Sequence, residues 1–444
     1  MEINQNIYKI NGFRLFGLNI TDKTNIIDNR MTKVEAYKKR FKRKDASYDD
    51  TNPLEGVFDK GNVTLLLPVS PAPSYIDYQN ARNRLTDVRT RLLDEIFWFW
   101  PKTLEEPLEE FVIKYLNNND YDSAKKYWES QSKTESTNTT SVHNLAVINH
   151  IRALELFEKE DYDAVVYLTD AIKYWSLILS GSNNFKNFVK QRVNSLNDPR
   201  LTNEYVDEIF EQLPADLLNI NISLIKNLSK SSNISERNLR LINGIINATE
   251  ESSFDSKLIN RTASKILETF EHSIKNLGDS FDGKFNSAYG STKLDILVEY
   301  ENNVEPFMKI LTQDLFYNNS ISNKMRDSVC QKMLSCLNNE ELLSNAMTDN
   351  KIQKIVEILE FISRFAADED LKQNAVKLKE MIKDVPSDEE RRKQEELKRM
   401  YEEAVKQEEQ KKLNEKKQTQ SCVCLLMALI VFIILIIVIF KPFG

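Results

Sequence analysis

Few side chains in this chain have the types or the spacing that covalent chemistry needs. Of its three histidines, His143 and His150 stand seven positions apart, which puts both on one face of a helix, and His272 stands alone. No Asp, Glu or Cys joins the pair at ligand spacing, so they read as packed or capping side chains and no metal is expected. Cys330 and Cys336 lie six apart with no second pair beside them, and Cys422 and Cys424 sit in an apolar run. This is no disulfide framework, and it fits a reducing compartment. The sequence contains no GxxxxGKS or GxxxxGKT phosphate loop, since the GxxxxGK at 278–284 is followed by Phe285, and no dinucleotide-type glycine pattern, HExxH, CxxC pair or GxSxG elbow. Acidic pairs such as Asp207-Glu208 fall on exposed helix faces with no third group beside them. The expectation is a non-enzymatic chain without catalytic residues or cofactors. A membrane-associated enzyme with its site in 185–383 is an alternative.

What remains is the chemistry of binding, and two stretches carry it. Phe97, Trp98, Phe99 and Trp100 are consecutive and precede Pro101. Successive residues on a helix rotate by about 100°, so four such rings cannot all face one core. Either they glue this region onto neighbouring helices or they form an exposed recognition patch. The second stretch is the basic run of Lys38, Lys39, Arg40, Lys42, Arg43 and Lys44 around Phe41. It reads as a solvated helix end, or as a contact to an acidic partner or to lipid headgroups. Because the net charge of the whole chain is −7, a general nucleic-acid binder is not expected.

The elements that must position these residues read as helices. Ten glycines and eleven prolines in 444 residues are too few for the turns of a sheet-rich fold, so the fold class expected is all-α. The cluster of Phe13, Leu15, Phe16 and Leu18 breaks at Gly17, and Thr21 or Asp22 can cap the helix that follows. Val63–Pro68 reads as a short buried strand or turn. Ser74 with Asp77 signals a helix start, and the spacing of Leu85, Val88, Leu92, Ile96 and Phe99 predicts one helix running to Pro101.

Residues 104–180 read as helical hairpins. Asp120-Tyr121-Asp122 and Asp161-Tyr162-Asp163 mark two turns, each with an Ala close behind and a Tyr-Trp pair downstream. This echo is similar to the tetratricopeptide turn, lengthened by the polar stretch 131–141. From 185 to 383 amphipathic stretches alternate with Asn-, Ser- and Asp-rich turns, which predicts a helical bundle or irregular solenoid.

The opening FRLFGL with a capped helix behind it, then Leu85-Thr86-Asp87, Arg91 and Asp94, resembles the J-domain, the DnaJ-type co-chaperone module. With LLLPVSPAPS and the FWFWP run, roughly residues 8–180 resemble a group of mostly bacterial J-domain-like proteins in which tetratricopeptide-like helices follow. The resemblance implies a small helical docking domain at 1–101 and a protein partner, either a 70-kDa heat-shock chaperone or a membrane complex. The His-Pro-Asp motif with which a working J-domain stimulates its partner is missing, since no His precedes His143. The module is therefore degenerate.

The C-terminal region carries the clearest physical signal. Cys422–Phe440 is nineteen residues with no charge, Gly or Pro. As a helix it would span roughly 28 Å, close to the hydrocarbon core of a bilayer. Lys411, Lys412, Lys416 and Lys417 precede it and only Lys441 follows, a bias that favours a cytoplasmic body behind a C-terminal tail anchor. Between body and anchor, 387–420 is rich in Glu-to-Lys or Glu-to-Arg pairs at i, i+4 and reads as a charged stalk helix. The expectation is thus a tail-anchored, single-pass adaptor or scaffold, its partners the lipid bilayer and a protein. The bacterial plasma membrane is the expected location, with a eukaryotic endomembrane or the mitochondrial outer membrane as alternatives. A tether or fusion-type factor pairing through 387–420 is the second functional reading.

Overall fold

A computed structural model describes residues 3–44, 49–58, 65–133, 138–180, 183–230, 234–290, 292–337 and 349–383. Among them every regular element is a helix, and the single β-bridge, Pro53 to Ser74, is isolated. The chain is all-α. No helix among the described residues is long and apolar enough to cross a membrane. The expected stalk at 387–420 and span at 422–440 lie outside the described residues.

The chain divides into two compact units, one of residues 1–228 and 235–266, the other of 229–234 and 267–444. The segments expected at 1–101 and 104–180 both fall in the first. That unit opens with α1 (Gly12–Phe16), α2 (Thr24–Lys44), α3 (Tyr75–Thr86) and α4 (Val88–Ile96). Next come α5 (Glu110–Asn117), α6 (Tyr121–Gln131), α7 (Asn138–Phe157), α8 (Asp163–Ser180) and α9 (Asn184–Leu196), then α10 (Asn203–Leu228) and α11 (Glu236–Glu250). α12 (Ser256–Ser287) begins here.

The local sequence explains most of these ends. Asn11 caps α1 by accepting from the N–H groups of Phe13 and Arg14, and Gly17 closes it in the left-handed region at φ 62°. α2 starts at Thr24, and Asp22, an expected cap, instead accepts from the N–H of Asn19 (2.9 Å). Ser74 and Asp77 form the expected capping box.

The one long helix expected up to Pro101 is two helices that stop at Ile96. The break falls at Asp87, where an extended backbone ends α3 and the carboxylate accepts from the N–H of Thr90 to start α4. The spacing from Leu85 to Ile96 cannot reveal such a break, because one capping residue joins two short helices without disturbing the apolar register. Val63–Pro68 is a turn where it is described: Leu66 and Leu67 are buried, and Leu67 sits at φ 49° with its N–H donating to Leu116 O (3.1 Å).

The two Asp-Tyr-Asp turns share their backbone as well as their residues. At the end of α5 the N–H of Asp120 reaches Tyr115 O (2.9 Å) and that of Asn119 reaches Leu116 O (3.2 Å). At the end of α7 the N–H of Asp161 reaches Leu156 O (2.9 Å) and that of Glu160 reaches Phe157 O (3.0 Å). In both, the residue before the first Asp is left-handed, Asn119 at φ 55° and Glu160 at φ 51°. Ala124 and Ala164, each near the start of the helix that follows, are fully buried.

The second unit holds the rest of α12, then α13 (Thr292–Leu311), α14 (Asp314–Tyr317), α15 (Ser320–Leu337), α16 (Asp349–Phe365) and α17 (Glu369–Lys383). Phe270 meets Phe307 edge-on (5.7 Å), and Phe281 stacks on Tyr300 (4.5 Å). Arg326 and Asp327 of α15 hold the turn between α16 and α17. Arg326 donates to Phe365 O (2.8 Å) and Ala366 O (3.3 Å), while Asp327 accepts from the N–H groups of Ala367 (2.7 Å) and Asp368 (2.9 Å).

Candidate functional site

The four consecutive rings lie inside the first unit. Phe97, Trp98, Phe99 and Trp100 are 0–3 % exposed, so they form no exposed recognition patch. The helical geometry that forbids burying all four does not apply, because α4 ends at Ile96, Phe97 and Trp98 close its last turn, and Phe99 and Trp100 lie outside any helix. Phe97 meets Tyr8 (5.7 Å) and Trp175 of α8 (5.5 Å). Trp98 donates its indole N–H to Leu18 O (3.2 Å), which ties it to the end of α1. Phe99 stacks on Trp128 of α6 (5.2 Å). Trp100 packs against Phe185 and Phe188 of α9 (5.5 and 5.4 Å), and its backbone N–H and C=O are both taken by the side chain of Asn144 (2.8 Å each). The run is therefore the seam between α1–α4 and α6–α9.

Buried polar groups run along the same seam. Asp94 accepts from the N–H of Gly12 (3.0 Å) and pairs with Arg84, and Asn11 donates to Asp94 O (2.8 Å). The start of α1 thus meets the end of α4. Burial raises the Asp94 carboxyl above the ordinary carboxylate range, against the opposing pull of Arg84. Glu95 is gripped from two sides. Arg91 Nε donates to Oε1 (3.0 Å), and Arg192 donates Nη2 to Oε1 and Nε to Oε2 (2.9 Å each). Arg14 donates to Leu67 O (2.6 Å) and pairs with Glu155, which also accepts from the Tyr121 hydroxyl (2.6 Å). These carboxylates are committed to partners within the seam, which makes their role positional.

The two histidines sit on α7 in this seam. His143 donates Nε2–H to Ile96 O (2.7 Å) and stacks on Phe185 (4.1 Å), and the Tyr8 hydroxyl lies 3.1 Å from His150 Nδ1. Burial lowers their pKa values, His143 to about 4 and His150 to about 3, so both are neutral at pH 7. No group of three His, Cys, Asp or Glu side chains among the described residues could hold a metal ion. Of these groups, Asn144, Glu155 and Arg192 carry no signal in a single sequence, since polar residues on amphipathic helices normally face water.

The basic run divides. Lys38 reaches Asp50 (2.7 Å) and lies over the Tyr75 ring (3.5 Å), which fastens α2 to the start of α3. Lys39, Arg40 and Lys42 are exposed, as is Lys33 one turn and more earlier on the helix. No ion pair or hydrogen bond holds their side chains among the described residues. The side chains of Arg43 and Lys44 lie outside the described residues. The structure brings the aromatic run together with the histidines and keeps the free cations on the surface. No family model, curated protein or solved structure matches the chain.

Proposed function

We propose that this chain is a membrane-anchored adaptor, a helical body held at a bilayer by residues 422–440 and docking a protein partner. The observation that carries the reading is that run, nineteen residues without a charge, behind a Glu- and Lys-rich approach. Two features support a docking body. The first unit spends its aromatic and acidic groups on internal packing, which is the economy of a scaffold. Its repeated Asp-Tyr-Asp turns build paired helices of the kind that present faces to other proteins. The J-like reading of α1–α4 rests on the sequence resemblance carried by residues 13–18 and 85–87 with Arg91 and Asp94. Without His-Pro-Asp that module docks a chaperone or a membrane complex and does not stimulate an ATPase.

Two measurements on the whole chain test this. Resistance to alkaline extraction from membranes, lost on deleting 422–440, is expected, and extraction of the intact chain would overturn the anchor. Crosslinking in native membranes should then capture a discrete protein partner. The chain stays whole in this experiment, because cutting after 101 would pull Phe97–Trp100 out of the core.

A further inference from the structure

We propose that the exposed cations on the C-terminal half of α2, Lys39, Arg40 and Lys42 with Lys33, form a docking surface for anionic lipid headgroups. The inference rests on the reading of 422–440 as an anchor. Three observations favour a lipid surface. First, these cations stand out in a chain of net charge −7, so they mark a local departure in sign. Second, Lys33, Lys39 and Arg40 lie on the side of the helix away from the buried Ile27, Met31 and Val34, and Lys42 is exposed near the helix end. No aligned fork of hydrogen bonds picks out one carboxylate. Such an arrangement suits a diffuse sheet of negative charge better than a single acidic side chain. Third, an anchor at 422–440 would tether this chain to a bilayer, so that a weak electrostatic contact becomes an intramolecular one. Lys38 shows the contrast: it is already neutralised by Asp50 and covers Tyr75.

The test mixes the full-length chain with preformed vesicles of phosphatidylcholine alone or with phosphatidylserine added. Acylation rates of Lys39 and Lys42 by a water-soluble amine reagent are read by mass spectrometry. Phosphatidylserine is expected to slow both rates by about fivefold. Raising the salt to about 0.5 M, which shortens the screening length, should restore them. A Lys33→Glu/Arg40→Glu variant, altered only at exposed positions, should lose the difference while keeping its helical circular dichroism. Equal rates in the two vesicle types overturn the inference. Slowing by added polyglutamate but not by phosphatidylserine also overturns it and assigns the patch to an acidic protein. Alkaline extraction of the chain from both vesicle types counts against the anchor alone, since salt-sensitive protection of Lys39 and Lys42 is still read in that sample.

Discussion

Arg192 closes a two-pronged ion pair on Glu95, Nη2 to Oε1 and Nε to Oε2 at 2.9 Å each, across 97 positions of sequence. Both side chains are buried, and Arg192 also donates to Ile20 O (2.5 Å). One guanidinium thus joins α9, α4 and the segment after α1. Removing one partner of a buried pair is costly, and here Arg91 stays on Glu95 when Arg192 is lost, while removing Glu95 as well leaves Arg91 without its carboxylate. Arg192→Met should cost about 3–5 kcal/mol. Adding Glu95→Gln to that variant should recover part of the loss, and urea melts of the two singles and the double give the coupling. A double mutant less stable than Arg192→Met alone would show that Glu95 is held mainly by Arg91.

The neutral histidines predict acid lability. An unfolded chain binds a proton on each histidine near pH 6.5, while the folded chain resists until about 4 for His143 and about 3 for His150. The unfolded state therefore holds more protons in that window, and stability falls as pH falls through it. Each histidine contributes a slope of about 1.4 kcal/mol per pH unit. Urea midpoints at pH 7, 6 and 5 should show the loss, and Tyr8→Phe/His150→Leu should remove about half of the part due to histidine. A variant with an unchanged slope would mean that His150 is already protonated in the fold.

Much of the fold is legible in the sequence, and the seam is not, for a physical reason. Amphipathic periodicity marks helices because it reports burial against any neighbour, so α2, α8 and α11 can be read directly. It does not report which neighbour. Nothing near Trp100 announces Asn144, and nothing near Glu95 announces Arg192. The Asp-Tyr-Asp echo is legible because the local hydrogen bonds that make the turn leave a local signature. The aromatic run misleads because a helix is assumed through it. Pro214 and Pro306 lie inside α10 and α13, where a proline normally suggests a boundary.

Glu160 carries a cost that glycine would remove. It holds the left-handed position that ends α7, as Asn119 does at the end of α5. Asparagine tolerates this region through its short polar side chain, and glutamate does not. Glu160 is exposed, so its replacement leaves no cavity. Glu160→Gly should stabilise the first unit by about 1 kcal/mol, and Asn119→Gly by less. Thermal melts of the two variants check the order.

Two helical glycines should answer alanine in opposite ways. A methyl group on Gly244 would lie 2.4 Å from both Val165 methyls, where α11 crosses α8, so Gly244→Ala should destabilise by about 1–3 kcal/mol despite better helix propensity. Gly283 in α12 has nothing within 4 Å of the added carbon, and Gly283→Ala should stabilise by about 1 kcal/mol. Pairing Gly244→Ala with Val165→Ala should return much of the loss, which separates a steric clash from a backbone requirement.

Glu301 gives the second unit a pH response opposite to that of the histidines. Burial, with Glu305 and Glu357 nearby, pushes its carboxyl up to about 7 against the pull of Arg364. Between the unfolded value near 4.3 and about 7 the folded chain holds the extra proton, so this group's contribution is lost as pH rises through that window. Glu301→Gln cannot lose a proton, and at pH 8 it should be more stable than the parent chain. At pH 4, where Glu301 is protonated in either state, the two should match. Hydrogen exchange at amides of α13 and α16 reads the second unit separately from the acid-labile histidines of the first. Faster exchange in Glu301→Gln at pH 8 would show that the carboxylate is a stabilising partner of Arg364, and that burial is not the dominant influence on it.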